Sequence, residues 1–262
     1  MPTPTGALDA NAIKLHRTGS GPALVLVHCL GVDRRLWDIA AAGFTSDFTL
    51  VSYDLPGHGE TPVPGNAYRV EDLSLQLAGV LDRGGLKRVH LAGISLGGCV
   101  AQHLAATRPE RVDRLMLIDT TPRYPDEQRK GWGDRAAIAR TKGVPAMIDM
   151  LINIWFTPAF AASGAPAVAY VRECFTRIPG EGYAKACEAL AEVDLTSLAP
   201  KIKAPTLIVI GEQDLPAFHE SAKWLAQNIA GSRKVVLAPA RHASILEQPE
   251  EFSEAARAFL RG

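Results

Sequence analysis

Cysteine is scarce in this chain of 262 residues. The four present, Cys29, Cys99, Cys174 and Cys187, lie far apart and form no Cys-x-x-Cys pair. That spacing argues against a thiolate metal site or a dithiol redox centre and fits free thiols in a reducing compartment. An excess of charge is also missing, because Lys+Arg and Asp+Glu number 28 each. No global field then draws the chain to nucleic acid or to an anionic membrane, and neither partner is expected. No run is long and apolar enough to span a bilayer. Residues Met1 to Ala10 carry neither a basic side chain nor an apolar core of signal-peptide length. A cytoplasmic location is the expectation these absences leave. His16, His90, His103 and His219 show no metal-ligand spacing, so no metal and no other cofactor is expected. Internal repeats and low-complexity segments are lacking as well, and nothing in the sequence fixes an oligomeric state.

What is present is a set of short apolar runs, each followed by a helical pattern. Ala23 to Val27, Thr49 to Tyr53, Val89 to Ala92, Leu115 to Ile118, Thr206 to Ile210 and Lys234 to Leu237 read as buried strands. Their near-continuous Val, Ile and Leu content, without alternation, suggests a sheet covered on both faces. Leu73, Leu77, Val80 and Leu81 keep helical spacing, as do Trp224, Leu225 and Ile229. Phe252, Ala255, Ala256 and Phe259 give a closing helix its inner face. Alternation of strand and helix implies an α/β fold with a mostly parallel sheet and helices on both faces. Between Pro122 and Ala199 the alternation stops, and a helical segment carries Trp132, Ile152, Trp155, Phe156, Tyr170 and Phe175. The expected organisation is a core of residues 1–122 and 199–262 with a helical cap, 123–198, over the C-terminal edge of the sheet. Open α/β sheets bind ligands at that edge.

The strand from Val89 runs into Gly93-Ile94-Ser95-Leu96-Gly97-Gly98, and the stretch from Cys99 to Thr107 is helical in pattern. This is G-x-S-x-G in a strand–turn–helix setting, where a sharp turn lifts the serine hydroxyl clear of the sheet. The bland reading is an ordinary glycine turn. A serine needs a base to become a nucleophile, and in sites of this kind the chain order is serine, acid, histidine. The last histidine, His242, stands in a loop between the final apolar run and the closing helix. For the acid that orients it, Asp214 in Gly211-Glu212-Gln213-Asp214 is favoured, because that turn follows the strand before the one leading to His242. Asp119 competes, with a turn or helix cap beside Thr120 and Thr121 as its plainer role, and Glu212 is a third candidate. The N–H groups of Leu96 and of Leu30, in the turn His28-Cys29-Leu30-Gly31, are placed to bind an oxyanion. His28 and His58 read as loop braces, and Cys29 as a packed small residue without a base.

With those residues in hand the chain resembles the α/β-hydrolase superfamily over nearly its whole length. Within it the chain is similar to the 3-oxoadipate enol-lactonases. The likeness rests on Gly93-Ile94-Ser95-Leu96-Gly97-Gly98, Trp155-Phe156-Thr157, Gly182-Tyr183-Ala184 leading to Cys187-Glu188-Ala189, and Asp194-Leu195. The resemblance implies a Ser95–His242–Asp214 triad and a cap site in which Trp132, Arg135 and Trp155 meet the substrate. It further implies a serine hydrolase that opens a carboxylate-bearing enol-lactone, 3-oxoadipate enol-lactone, to 3-oxoadipate through an acyl-enzyme. A guanidinium suits such a carboxylate because it binds with a two-pronged fork; the plain alternative is that Arg135 is a solvated helix residue and Trp132 part of the cap core. The turn His28-Cys29-Leu30-Gly31 departs from the Asn-Ser-Leu-Gly of those lactonases, Arg34-Arg35 adds charge near the entrance, and Ala243-Ser244-Ile245-Leu246-Glu247 differs too. The other readings are a carboxylesterase or lactonase of different specificity, a C–C bond hydrolase with the same triad, and a non-catalytic small-molecule receptor. The partner expected in each case is a small molecule, here an anionic lactone or ester.

Overall fold

Residues 8–262 are described by the computed structural model. The leader reading on Met1 to Ala10 and the start of the expected core segment lie, in their first seven residues, outside the described residues. His16–Gly19 (β1), Ala23–Val27 (β2), Thr49–Tyr53 (β3), Val89–Ile94 (β4), Val112–Ile118 (β5), Thr206–Gly211 (β6) and Arg233–Leu237 (β7) form one sheet. Its order is β1-β3-β2-β4-β5-β6-β7. β1 is antiparallel to β3, and every other neighbouring pair is parallel. All residues of β4 and β6 are buried, as continuous apolar strands with helices on both faces must be.

The differences from the expected strands have local causes. β1, His-Arg-Thr-Gly, has no apolar residue and was not anticipated; it is an edge strand held by backbone pairing to β3 while most of it faces solvent. β5 starts three residues before its apolar run, because Asp113 and Arg114 lie at the half-exposed end of the strand. There Asp113 pairs with Arg88 at 2.9 Å. β7 is the other edge, and only Leu237 in it is buried.

Leu36–Ala40 (α1), Val70–Arg83 (α2) and Leu96–Thr107 (α3) connect the strands up to β5. In α2 the residues Leu73, Leu77, Val80 and Leu81 form the buried face, each such side chain contributing about 1.5–3 kcal/mol when fully withdrawn from water. The Asp72 carboxylate caps the helix by accepting the Arg69 N–H at 2.9 Å. After β5 come five helices with no strand of the sheet between them: Asp126–Lys142 (α4), Ile148–Trp155 (α5), Pro158–Ala162 (α6), Pro166–Arg177 (α7) and Gly180–Glu192 (α8). Pro216–Asn228 (α9) joins β6 to β7, and Ser244–Glu247 (α10) and Pro249–Arg261 (α11) close the chain. Ile229 is the buried residue that ends α9 rather than part of it.

The helical segment leaves and rejoins the sheet region at one place. Leu195 N–H donates to the Pro122 carbonyl at 2.8 Å, and Arg123 and Asp194 form an isolated antiparallel bridge. Its two long helices, α4 and α8, pack together: Ala136 and Ala139 are the buried residues of α4, and the Ala139 carbonyl lies so close to Gly180 at the start of α8 that no Cβ fits there. Among the described residues no helix is long and apolar enough to cross a membrane.

Candidate active site

At the end of β4 the backbone turns sharply into α3 at Ser95, which has φ 52° and ψ −113°. A non-glycine residue at positive φ stores about 1–3 kcal/mol of strain unless its surroundings hold it there. Here Ser95 N–H donates to the Ile118 carbonyl at 2.9 Å, and the Thr120 hydroxyl donates to the Ser95 carbonyl at 2.7 Å. The flanking glycines are required by close approach: a Cβ on Gly93 would run into the Gly97 carbonyl, and one on Gly97 into the Val27 carbonyl of β2.

His242, in the loop between β7 and α10, places Nε2 3.2 Å from Ser95 Oγ. Its Nδ1 lies 2.9 Å from Asp214 Oδ2. Asp214 sits in the β6–α9 loop, buried, and its other oxygen accepts the Leu215 N–H at 2.7 Å. The aspartate fixes the tautomer with Nδ1–H, which leaves the Nε2 lone pair toward the serine. Burial alone would lower the His242 pKa, but the charge and hydrogen bond of Asp214, helped by Asp119, outweigh it and raise the value above 6.5. Arg135 acts in the opposite sense.

The other acid candidates part company with the site. Glu212 is exposed. Asp119, at φ 44° in the bend that ends β5, turns the chain as one of its expected plainer roles has it, but it caps no helix with its neighbouring threonines. Its carboxylate accepts from Gly211 N–H at 3.1 Å, Ser244 N–H at 3.1 Å and Ser244 Oγ–H at 2.7 Å. It therefore braces the two loops that carry Asp214 and His242. Burial, with the Asp214 charge nearby, pushes the Asp119 pKa up, against the pull of His242 and Ser244.

Leu96 is the first residue of α3, so its N–H has no partner within the helix. The Leu30 N–H lies in the turn after β2, the strand next to β4. Behind that turn His28 is fully buried: Nε2 accepts the Leu55 N–H at 2.8 Å and Nδ1–H donates to the Cys29 carbonyl at 2.8 Å. His58 donates from Nδ1 to the Pro56 carbonyl at 3.0 Å. The Cys29 thiol is buried, and desolvation raises its pKa.

Ser95 and His242 face a cavity of about 190 Å³, whose roof is helical: Trp132 and Arg135 from α4, Trp155 from α5, Phe175 from α7 and Tyr183 from α8. The three cap residues expected from sequence thus line the same cavity as Ser95. The Arg135 guanidinium lies 4.7 Å above the Trp132 ring. Among the described residues it belongs to no ion pair. Arg34 and Arg35 line a different cleft, where Arg35 is bound to Asp33 at 2.7 Å and to Glu173 at 3.3 Å.

Three residues near the site had no sequence signal of their own. Tyr124, between β5 and α4, lines the cavity, and so does Phe218 of α9, whose ring centroid is 4.3 Å from that of His242. Glu247, in the segment whose wording differs from the lactonases, is buried; it accepts from Thr157 N–H at 3.0 Å, Thr157 Oγ–H at 2.6 Å and Arg241 N–H at 2.7 Å. Ala243 N–H also donates to the Trp155 carbonyl at 2.9 Å. The histidine loop is thereby tied to the helical roof.

A mostly parallel sheet with these groups gathered at its C-terminal edge defines a hydrolase of the α/β type. The profile of the alpha/beta hydrolase family matches residues 24–255, and the chain belongs to that family. A 3-oxoadipate enol-lactonase of Acinetobacter baylyi is 31% identical over 92% of this chain and 89% of its own length. A pimeloyl-acyl-carrier-protein methyl ester esterase of Aeromonas salmonicida is 32% identical over 95% of this chain and 99% of its own. The crystal structure of the enol-lactonase from Burkholderia xenovorans superposes with a TM-score of 0.91 at 33% identity, covering 95% of this chain and 96% of that one.

Proposed function

We propose that the chain is a serine hydrolase that opens a small enol-lactone bearing a carboxylate, 3-oxoadipate enol-lactone being the substrate to test first. The observation that carries this reading is one cavity with the Ser95–His242 pair on its floor and, on its roof, Arg135, which among the described residues is in no ion pair. The names of two similar proteins, both enol-lactonases, point the same way. Helices α4–α8, within residues 123–198, act as the cap.

In this reading Arg135 binds the substrate carboxylate and Trp132 and Trp155 flank the ring. Ser95 Oγ attacks the lactone carbonyl carbon while His242 Nε2 takes its proton, and Asp214 stabilises the imidazolium. The N–H groups of Leu30 and Leu96 receive the oxyanion, each such donor being worth about 3 kcal/mol in the transition state. The ring C–O bond breaks as the tetrahedral intermediate collapses. His242 returns the proton to the departing enol oxygen, and the enol tautomerises to a ketone. Water, deprotonated by His242, attacks the acyl-enzyme and releases the diacid and free Ser95.

A second reading, an esterase for neutral esters, is favoured by the apolar remainder of the cavity, with Leu30, Leu151, Ile154 and Phe175. Hydrolysis of the enol-lactone, followed by loss of its ultraviolet absorbance, beside a neutral p-nitrophenyl ester separates the two. Turnover of the lactone at about 10⁴ M⁻¹s⁻¹ or faster with a poorly used ester supports the lactonase. Turnover of the ester alone removes the carboxylate clamp and keeps the serine chemistry.

A further inference from the structure

Tyr124 stands out among the buried polar groups. It is 2% exposed, and among the described residues its hydroxyl has no hydrogen-bond partner. A buried hydroxyl left unpaired costs about 1–3 kcal/mol, so a protein that keeps one usually has a use for it. This one lines the cavity that holds Ser95 and His242.

Its side of the nucleophile follows from the topology. β4, which delivers Ser95, lies between β2 and β5. The Leu30 turn follows β2, whereas Tyr124 follows β5, toward β6 and β7, whose loops supply Asp214 and His242. Packing agrees: the Tyr124 ring meets the Phe218 ring edge-on at 6.1 Å between centroids, and Phe218 in turn covers His242. Tyr124 is therefore opposite the oxyanion donors and on the side of the base. In acyl transfer by a serine, the leaving oxygen is the atom on that side, because the base must hand it a proton.

We propose that Tyr124 is a further catalytic residue, whose hydroxyl donates a hydrogen bond to the leaving-group oxygen as the tetrahedral intermediate collapses. The inference rests on the serine acyl-transfer part of the proposed function and is independent of which ester or lactone is the substrate. The C–O bond to the leaving group breaks, its electron pair goes to the leaving oxygen, and one lone pair there takes the proton from His242 Nε2. A second lone pair accepts the Tyr124 O–H, which keeps its own proton throughout. Burial holds the phenol pKa well above 10, which suits a donor that does not ionise. An enol or phenol leaves readily and needs this help little; an alkoxide carries more charge and needs it more.

The test is Tyr124→Phe assayed on esters of one short acyl group with p-nitrophenol, phenol and ethanol. kcat/KM is the readout, because it reports acylation even where deacylation limits turnover. The expected loss is at most about 3-fold for the p-nitrophenyl ester and rises to about 10- to 100-fold for the ethyl ester. An equal loss across the series, or no loss, overturns the proposal. The variant removes only an unpartnered hydroxyl, so its Tm is expected to match or exceed that of the parent; a fall in Tm with a uniform loss of rate would assign Tyr124 a packing role instead. Failure of the underlying reading looks different: the parent enzyme itself would then keep its activity in Ser95→Ala.

Discussion

On the floor of the cavity the polar side chains are partnered by the protein. Ser95 Oγ faces the His242 ring, the ring faces Asp214, and Asp119 bonds the backbone of both loops that bring them together. Above and beside it stand donors without protein acceptors among the described residues: the Trp132 indole N–H of the helical roof and the Tyr124 hydroxyl of the segment after β5 are buried and unpartnered, and Arg135 of the roof is in no ion pair. The floor is preorganised by its own hydrogen bonds, which is how an active site avoids reorganisation during reaction. The roof presents donors for which a ligand must bring the acceptors. In the proposed function, chemistry would rest on loops of the sheet and selectivity on the insertion.

Breaking the floor has the largest expected effect. Ser95→Ala lowers kcat/KM for an activated ester by about 10⁵- to 10⁶-fold and abolishes labelling by a fluorophosphonate; retained labelling would move the nucleophile elsewhere. The two buried aspartates then distinguish chemistry from support. Asp214→Asn costs about 10⁴-fold in kcat through the wrong histidine tautomer while Tm changes little. Asp119→Asn turns an amide N–H₂ toward backbone donors, so its loss is chiefly in Tm. If the two variants exchange these phenotypes, the acid is Asp119.

Breaking the roof is milder and depends on the substrate. Arg135→Ala raises KM for the anionic lactone by about 10- to 100-fold, the value of a hydrogen-bonded charge, and leaves KM of a neutral ester within about 3-fold. An equal effect on both removes Arg135 from substrate binding. Glu247 tests the tie between the two regions. With three donors on one buried carboxylate, Glu247→Gln leaves an N–H₂ facing donors and lowers Tm by about 5 °C or more, measured by calorimetry. An unchanged Tm would mean that cap and histidine loop are not held together there.

The smallest effect is electrostatic. His242 must be neutral to accept the serine proton, so kcat/KM falls as pH drops through its pKa. Because Asp214 raises that pKa, the acid limb lies above 6.5. Arg135 opposes the rise, so Arg135→Ala moves the limb further up in pH, best seen with a neutral ester. A limb that stays in place or moves down would mean that the arginine does not reach the imidazole through the cavity.

The sequence by itself determined most of the strands, the main helical faces and the order of serine, aspartate and histidine, while the expected burial of Lys234 to Leu237 fails because β7 is an edge strand with only Leu237 buried. Apolar periodicity is a local property, and Gly93 and Gly97 flank a turn that few other residues permit. β1 was invisible to such reading, since a polar edge strand such as His16–Gly19 is stabilised by its neighbour's backbone and not by side chains of its own. Between the acids the sequence favoured Asp214 by its place in the chain, and only the tertiary structure supplies the contacts that set the two apart. Asp119 and Asp214 both follow strands, and what separates them is that His242 Nδ1 faces Asp214 while Ser244 occupies Asp119. It also decided which donors share the cavity with Ser95: Tyr124 lies 29 positions from it in the chain and Arg135 lies 40, counted from 95 to 124 and to 135. Whether such a donor is left without an acceptor depends on every segment packed around it, and no local pattern carries that information.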